Sequence, residues 1–312
     1  MKSLIHPKII CNGLLAALAL LAFPALVQAG AKAPISPVVE APEPSRFHAL
    51  FKLDLSDHYI TPRGLNIEDQ GLIFQPLLLT FTTLYSNPDS FVNDVTLTLG
   101  MWSSIHTRES GRDPGNWNEF DPIGGIAFKF AKYWKLDVNY TAFESMVSSF
   151  QTSQHLELKM SFDDAALTGS KVFSLNPYVA YWQELDDKAT VVFDFDRSKE
   201  SYYFTLGMTP TISLSKVKLE FPTFINIVGE DFYQQIDGSP GGSGLAVFRT
   251  GLTASIPLTF IPKSAGFWTL YAGVKYYHLS NDGVLDGNLV LGADASREEN
   301  LVQFHGGISI FF

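Results

Sequence analysis

The sequence predicts an all-β fold: a closed antiparallel up-and-down transmembrane β-barrel of about 12 strands, with about 10 or 14 as the neighbouring counts. Three observations predict it. Apolar residues fill 46% of the 312 positions. Yet beyond the first 29 residues no stretch supplies the roughly 18 uninterrupted apolar residues of a membrane-crossing helix. Apolar and polar residues instead alternate in run after run, the period of a strand with one greasy and one wet face. The connections between runs alternate too, short turns with long polar loops, which is the asymmetry of a membrane barrel.

Taken in order, residues 1–29 are expected to be a secretory signal peptide. Lys2 and Lys8 supply the positive start, residues 14–26 the apolar core, and Val27-Gln28-Ala29 the cleavage site. Cys11, the only cysteine in the sequence, precedes that core, the wrong side for lipid attachment. Residues 30–45 carry Pro34, Pro37, Pro42 and Pro44, a density that opposes helix and sheet alike. They are expected to form an extended periplasmic linker before a barrel of residues 46–312.

The first alternating run sets Phe47, Ala49, Phe51, Leu53 and Leu55 against His48, Leu50, Lys52, Asp54 and Ser56. Further runs fall at 72–84, 95–105, 122–131, 135–148, 153–162, 173–183, 201–210, 215–226, 245–257, 267–279 and 300–312. The clearest is 153–162, with Leu156, Leu158, Met160 and Phe162 against His155, Glu157, Lys159 and Ser161. Run 72–84 is apolar on both faces, 122–131 opens on Gly124-Gly125, and 189–196 is a possible hairpin extension. If the first strand starts in the periplasm, the connections at 86–94, 131–134, 163–172, 211–214 and 258–266 return there. They hold turn formers such as Asn87-Pro88-Asp89 and Asp163-Asp164. The stretches 106–121, 184–200, 227–244 and 280–299 then become long external loops.

The last run places Phe312, Ile310, Ile308, Gly306, Phe304 and Val302 on one face. This ending resembles the C-terminal signature of bacterial outer-membrane barrels. The resemblance implies a last strand that closes against the first, an outer-membrane location, and an assembly signal in Phe312, Ile310 and Phe304. The barrel assembly machinery and outer-membrane lipid are then expected partners. A second resemblance lies in Asp57-His58-Tyr59-Ile60-Thr61-Pro62-Arg63-Gly64, with Gly100-Met101-Trp102-Ser103-Ser104 some tens of residues on. Leu136-Asp137-Val138-Asn139-Tyr140 and His155-Leu156-Glu157-Leu158 follow. These pieces resemble the TorF-type porins over the N-terminal half. The chain departs from that pattern by inserting His58 and Pro62 and by lacking a second aromatic after Tyr59. The resemblance implies location and pore shape more firmly than a solute.

The formal net charge is -10, from 22 basic and 32 acidic residues, and no basic patch suggests a nucleic-acid partner. The wet faces carry Lys52, Asp54, Lys129, Asp137, Glu157, Lys159, Lys218, Glu220, Arg249 and Lys275, with His305 on the last strand. Of these, Lys52, Asp54, Lys129, Glu157, Lys159, Arg249, Lys275 and His305 are the candidate lumen contacts. Arg249, Lys275 and His305 fall at similar heights on three consecutive strands, so a basic arc on the wall is expected, with Lys52 and Asp54 alongside on closure. The six histidines after the leader show no ligand-like spacing, so neither a metal nor a cofactor is expected. No catalytic site is expected either. His278 lies near Ser280, but no nucleophile-elbow pattern occurs, and the Gly241-Gly242-Ser243-Gly244 run reads as a hairpin tip. The expected function is passive diffusion of small hydrophilic solutes through an outer-membrane channel. The alternatives are a closed-lumen barrel whose external loops bind a partner, and an outer-membrane lipid hydrolase.

Overall fold

Alternation becomes architecture in the computed structural model, which describes residues 45–188, 190, 199–291 and 296–312. The expected signal peptide, the linker up to residue 44 and nearly all of 189–196 lie outside the described residues. The barrel belongs to the unit Arg46–Phe312. Strand β1 (Phe47–Ser56) leads into a small hairpin, β2 (Tyr59–Ile60) and β3 (Asn66–Glu68). The meander continues through β4 (Ile73–Ser86), β5 (Val92–Ser110), β6 (Gly115–Phe130), β7 (Trp134–Ser145) and β8 (Ser153–Phe162). Three interrupted staves follow: β9 (Phe173–Ser174) with β10 (Tyr178–Asp186), β11 (Tyr202–Met208) with β12 (Thr211–Ser213), and β13 (Lys218–Glu220) with β14 (Thr223–Val228). The last staves are β15 (Gly244–Pro257), β16 (Phe267–Leu279) and β17 (Asn300–Phe311).

Counting each interrupted pair as one stave gives a closed antiparallel barrel of twelve. Closure is made where β1 pairs with β17, with Leu53 opposite Ile308 and Asp54 opposite Gly307. The main chain meets so closely there that a Cβ on Gly307 would sit 1.9 Å from the Leu53 carbonyl oxygen. Leu78, Leu99, Met101, Leu158, Val179, Leu206, Leu252 and Phe304 stay exposed. They lie on the phase facing away from the lumen and form an apolar outer belt.

The interruptions have one cause. Pro177, Pro210 and Pro222 stand at the breaks of three adjacent staves, and proline brings no N–H to the ladder. Asn176, at φ 49, stitches the gap: its Nδ2 donates to Ser174 Oγ at 2.8 Å and to the Thr209 carbonyl at 3.0 Å. The sequence runs 173–183, 201–210 and 215–226 therefore each become a broken stave. Residues 106–121 also differ from expectation. They are mostly the continuation of β5 and β6, joined by a short connection after Ser110. Polar residues on both faces read as loop in the sequence, but a strand projecting past an apolar belt is wet on both sides.

Candidate functional site

The inner face is divided in two. In one half, inward-facing wall residues Tyr203, Phe224, Val228, Val247, Tyr277, Leu279 and Leu301 belong to one buried apolar cluster. It is completed by Ile60 and Leu65 after β1, Phe232 and Tyr233 after β14, and Val284 and Leu285 of the helix Asp282–Leu291. Three connecting segments thus fold inward and pack against the wall as a plug. Gly64 sits at φ +87 where a Cβ would lie 2.7 Å from Leu279, a close approach open only to glycine. Hydrogen bonds fix the seat. Asn288 Nδ2 donates to the Gly64 carbonyl at 3.0 Å and the Asn66 N–H donates to Asn288 Oδ1 at 2.9 Å. Asn226 Nδ2 donates to the Pro62 carbonyl at 2.9 Å, and the Tyr233 hydroxyl donates to the Arg63 carbonyl.

The two motif pieces meet inside this plug. The Tyr59 ring lies 5.5 Å from Trp102 and 6.0 Å from His106, and its hydroxyl donates to Glu119 Oε2 at 2.7 Å. Arg63 lies over the Phe143 ring at 4.4 Å and near Trp182 at 5.9 Å. At the plug's hinge Asp57 Oδ1 lies 3.0 Å from His58 Nδ1 and accepts from the Phe304 N–H at 2.9 Å. That carboxylate raises the His58 pKa above 6.5, against the desolvation that lowers it.

The other half holds an open cavity of about 710 Å³. Lys52, Arg249, Lys275 and His305 all line it, so the staves bring the expected arc together. Asp54 sits at the edge of that group. Its Oδ1 accepts from Tyr271 Oη at 2.9 Å and lies 3.2 Å from His305 Nδ1. Its Oδ2 stands 3.9 Å from Lys52 Nζ and 4.0 Å from Lys275 Nζ, so one carboxylate is shared by three basic groups. The Arg249 guanidinium lies 5.3 Å from the Phe224 ring centre and 5.6 Å from that of Tyr277.

The remaining candidates lie elsewhere on the wall. Glu157 accepts from Trp182 Nε1 at 2.6 Å and from Asn139 Nδ2 at 3.1 Å. Lys159 lies over the Tyr178 ring at 4.2 Å, and Lys129 is exposed near one end of β6, opposite Asp94. Phe304, Ile310 and Phe312 sit on the closing stave. Ile310 is in register with Phe51 and Trp268, and the Phe312 N–H donates to the Ala49 carbonyl at 2.9 Å. Lys216, which falls in the run 215–226, is not among the candidate lumen contacts of the sequence; it lies just before β13 and lines the cavity.

Among the described residues no group of three or more His, Cys, Asp or Glu is placed to hold a metal. Ser280 and His278 do not meet as a catalytic pair: the hydroxyl donates to the Leu245 carbonyl at 2.8 Å and the imidazole bonds Asn300 at 3.1 Å. A hydroxyl–imidazole–carboxylate row does occur at Ser104, His106 and Glu68, with separations of 2.9 and 3.8 Å. Ser104 and His106 are 0% and 1% exposed, so the row is closed to any substrate.

No family model matches the chain, and no curated protein does. Solved structures do. The chain is similar to the COG4313 outer membrane channel from Pseudomonas putida F1 (TM-score 0.47, 10% identity, 89% of this chain and 100% of that one). It is similar to the NanC porin (TM-score 0.44, 13% identity, 83% and 98%). A porin refined at 1.8 Å resolution also matches (TM-score 0.32, 11% identity, 85% and 99%).

Proposed function

We propose that the protein is an outer-membrane, porin-like channel for small hydrophilic solutes, of the kind the TorF-like motifs imply. The observation that carries this reading is the cavity of about 710 Å³, lined by charged and hydroxyl side chains, inside a closed barrel whose outside is apolar. A lumen-facing array of lysines and arginine has no use in a barrel filled for stability alone, since each buried charge costs desolvation. The plug belongs to this proposal as the gate: solute crosses when the segments between β1 and β4, after β14, and at Asp282–Leu291 move aside. The apolar seat and its hydrogen bonds favour the second reading as well, a barrel kept shut whose external segments bind a partner. Liposome swelling separates the two. Proteoliposomes that swell in isotonic small sugars support the channel. Proteoliposomes that stay rigid even when the plug seat is weakened support the closed barrel.

A further inference from the structure

We infer that the open half of the lumen is a binding site for a small anionic solute, carrying a carboxylate or phosphate group, centred on Arg249. The inference rests on the channel reading for the way the solute arrives, and on the side chains alone for its charge. The cavity is lined by Lys52, Lys216, Lys218, Arg249, Lys275 and His305, against Glu220, with Asp54 at its edge. That excess runs against the chain's own net charge of -10, so it is local. Two acids offset part of it. Glu220 takes Lys218 at 2.8 Å, and Asp54 is shared as described. Lys216 and Arg249 have no acid partner among the described residues.

Arg249 carries the argument furthest. Its Nε is buried and has no hydrogen-bond partner among the described residues. A buried N–H of a charged group left without an acceptor is costly, and proteins rarely leave one idle. The Phe224 and Tyr277 rings flank the guanidinium, and rings placed so orient the planar fork. Such a fork is matched by the paired oxygens of a carboxylate or phosphate. Lys275 stands on the neighbouring stave β16 and Lys52 on β1, two staves further round, and Lys216 reaches the same space from the turn. The Ser255, Thr269 and Ser309 hydroxyls on the wall can receive a hydroxylated solute body. The cavity falls within the roughly 300–1,000 Å³ of small-ligand sites. The plug closes off the apolar half beyond it, so an anion reaching Arg249 is retained until the gate moves.

The test is calorimetric titration of the full chain in detergent with inorganic phosphate and, separately, with succinate, at low and high salt. The expected result is saturable, salt-weakened binding of at least one probe. Arg249→Gln should weaken it by about tenfold or more, the size of one lost charge-assisted contact. Lys129→Gln, outside the cavity, should leave it unchanged. Should Arg249→Gln fail to fold, as judged by loss of heat-modifiable migration, Arg249→Lys keeps the charge but not the fork, and weakened binding is again expected. The absence of saturable binding for both probes in the wild type overturns the site, as does equal weakening by Lys129→Gln. A protein that binds phosphate but passes no current keeps the site and loses the channel reading. One that conducts but does not bind loses the site alone.

Discussion

Shortening Leu65 to alanine is the sharpest test of the plug. Leu65 is 1% exposed and sits in the buried cluster with Leu279, Val247 and Val284. Leu65→Ala removes its buried methyls and leaves a cavity, which costs about 3 kcal/mol in a packed site. None of those atoms contributes to the stave ladder, so the loss falls on seating the plug and not on closing the barrel. A loss of that size shifts the open–closed balance of the segment by roughly a hundredfold. Hydrogen exchange read by mass spectrometry reports that balance peptide by peptide. Protection of residues 57–72 should drop by about that factor. Peptides from β5, β6 and β7 should exchange as in the wild type. Unchanged protection in 57–72 would refute the packing argument; equal loosening of the staves would refute the separation of plug from barrel.

Other outcomes follow from the same geometry. Gly307→Ala should cut the yield of heat-modifiable protein on denaturing gels, because the new Cβ meets the Leu53 carbonyl at 1.9 Å across the seam; a normal yield would show that the seam yields. Phe312→Asp should lower folded protein in the outer membrane without blocking export, and normal levels would end the role of that residue as an assembly signal. Since the His58 pKa is raised, its pairing with Asp57 stabilises the plug below about 6.5 and is lost as the pH rises through the folded-state value. Protection of residues 57–72, corrected for intrinsic exchange, should therefore fall on that rise and stay flat in His58→Gln; a flat wild-type profile would contradict the pairing.

The barrel was legible because each stave buries nothing but its own alternation. Runs 153–162, 245–257 and 267–279 match β8, β15 and β16 to within a residue, since one face is the exposed outside of the barrel and the other faces the lumen. The C-terminal run gave the closing stave for the same reason. The breaks at Pro177, Pro210 and Pro222 stood in the sequence too, but a proline at a stave's end and one in its middle look alike until partners are known. The basic arc was readable as register: Arg249, Lys275 and His305 are inward on consecutive staves, and the cavity does gather them. The plug was not. Leu65, Phe232, Val284 and Leu285 lie in polar, glycine-bearing segments without a period, and only closure of the wall shows the space they fill. Lys216 shares the alternation of Lys218 and Glu220 in the run 215–226, but β13 begins only at Lys218, so the residue sits in a turn whose direction that phase does not fix.

Single-channel current across a planar bilayer holding the purified full chain decides whether the barrel is a gated channel. Discrete conductance steps are expected for the wild type and a larger open fraction for Leu65→Ala. Heat-modifiable, membrane-inserted protein that passes no current in either form would contradict the gated channel.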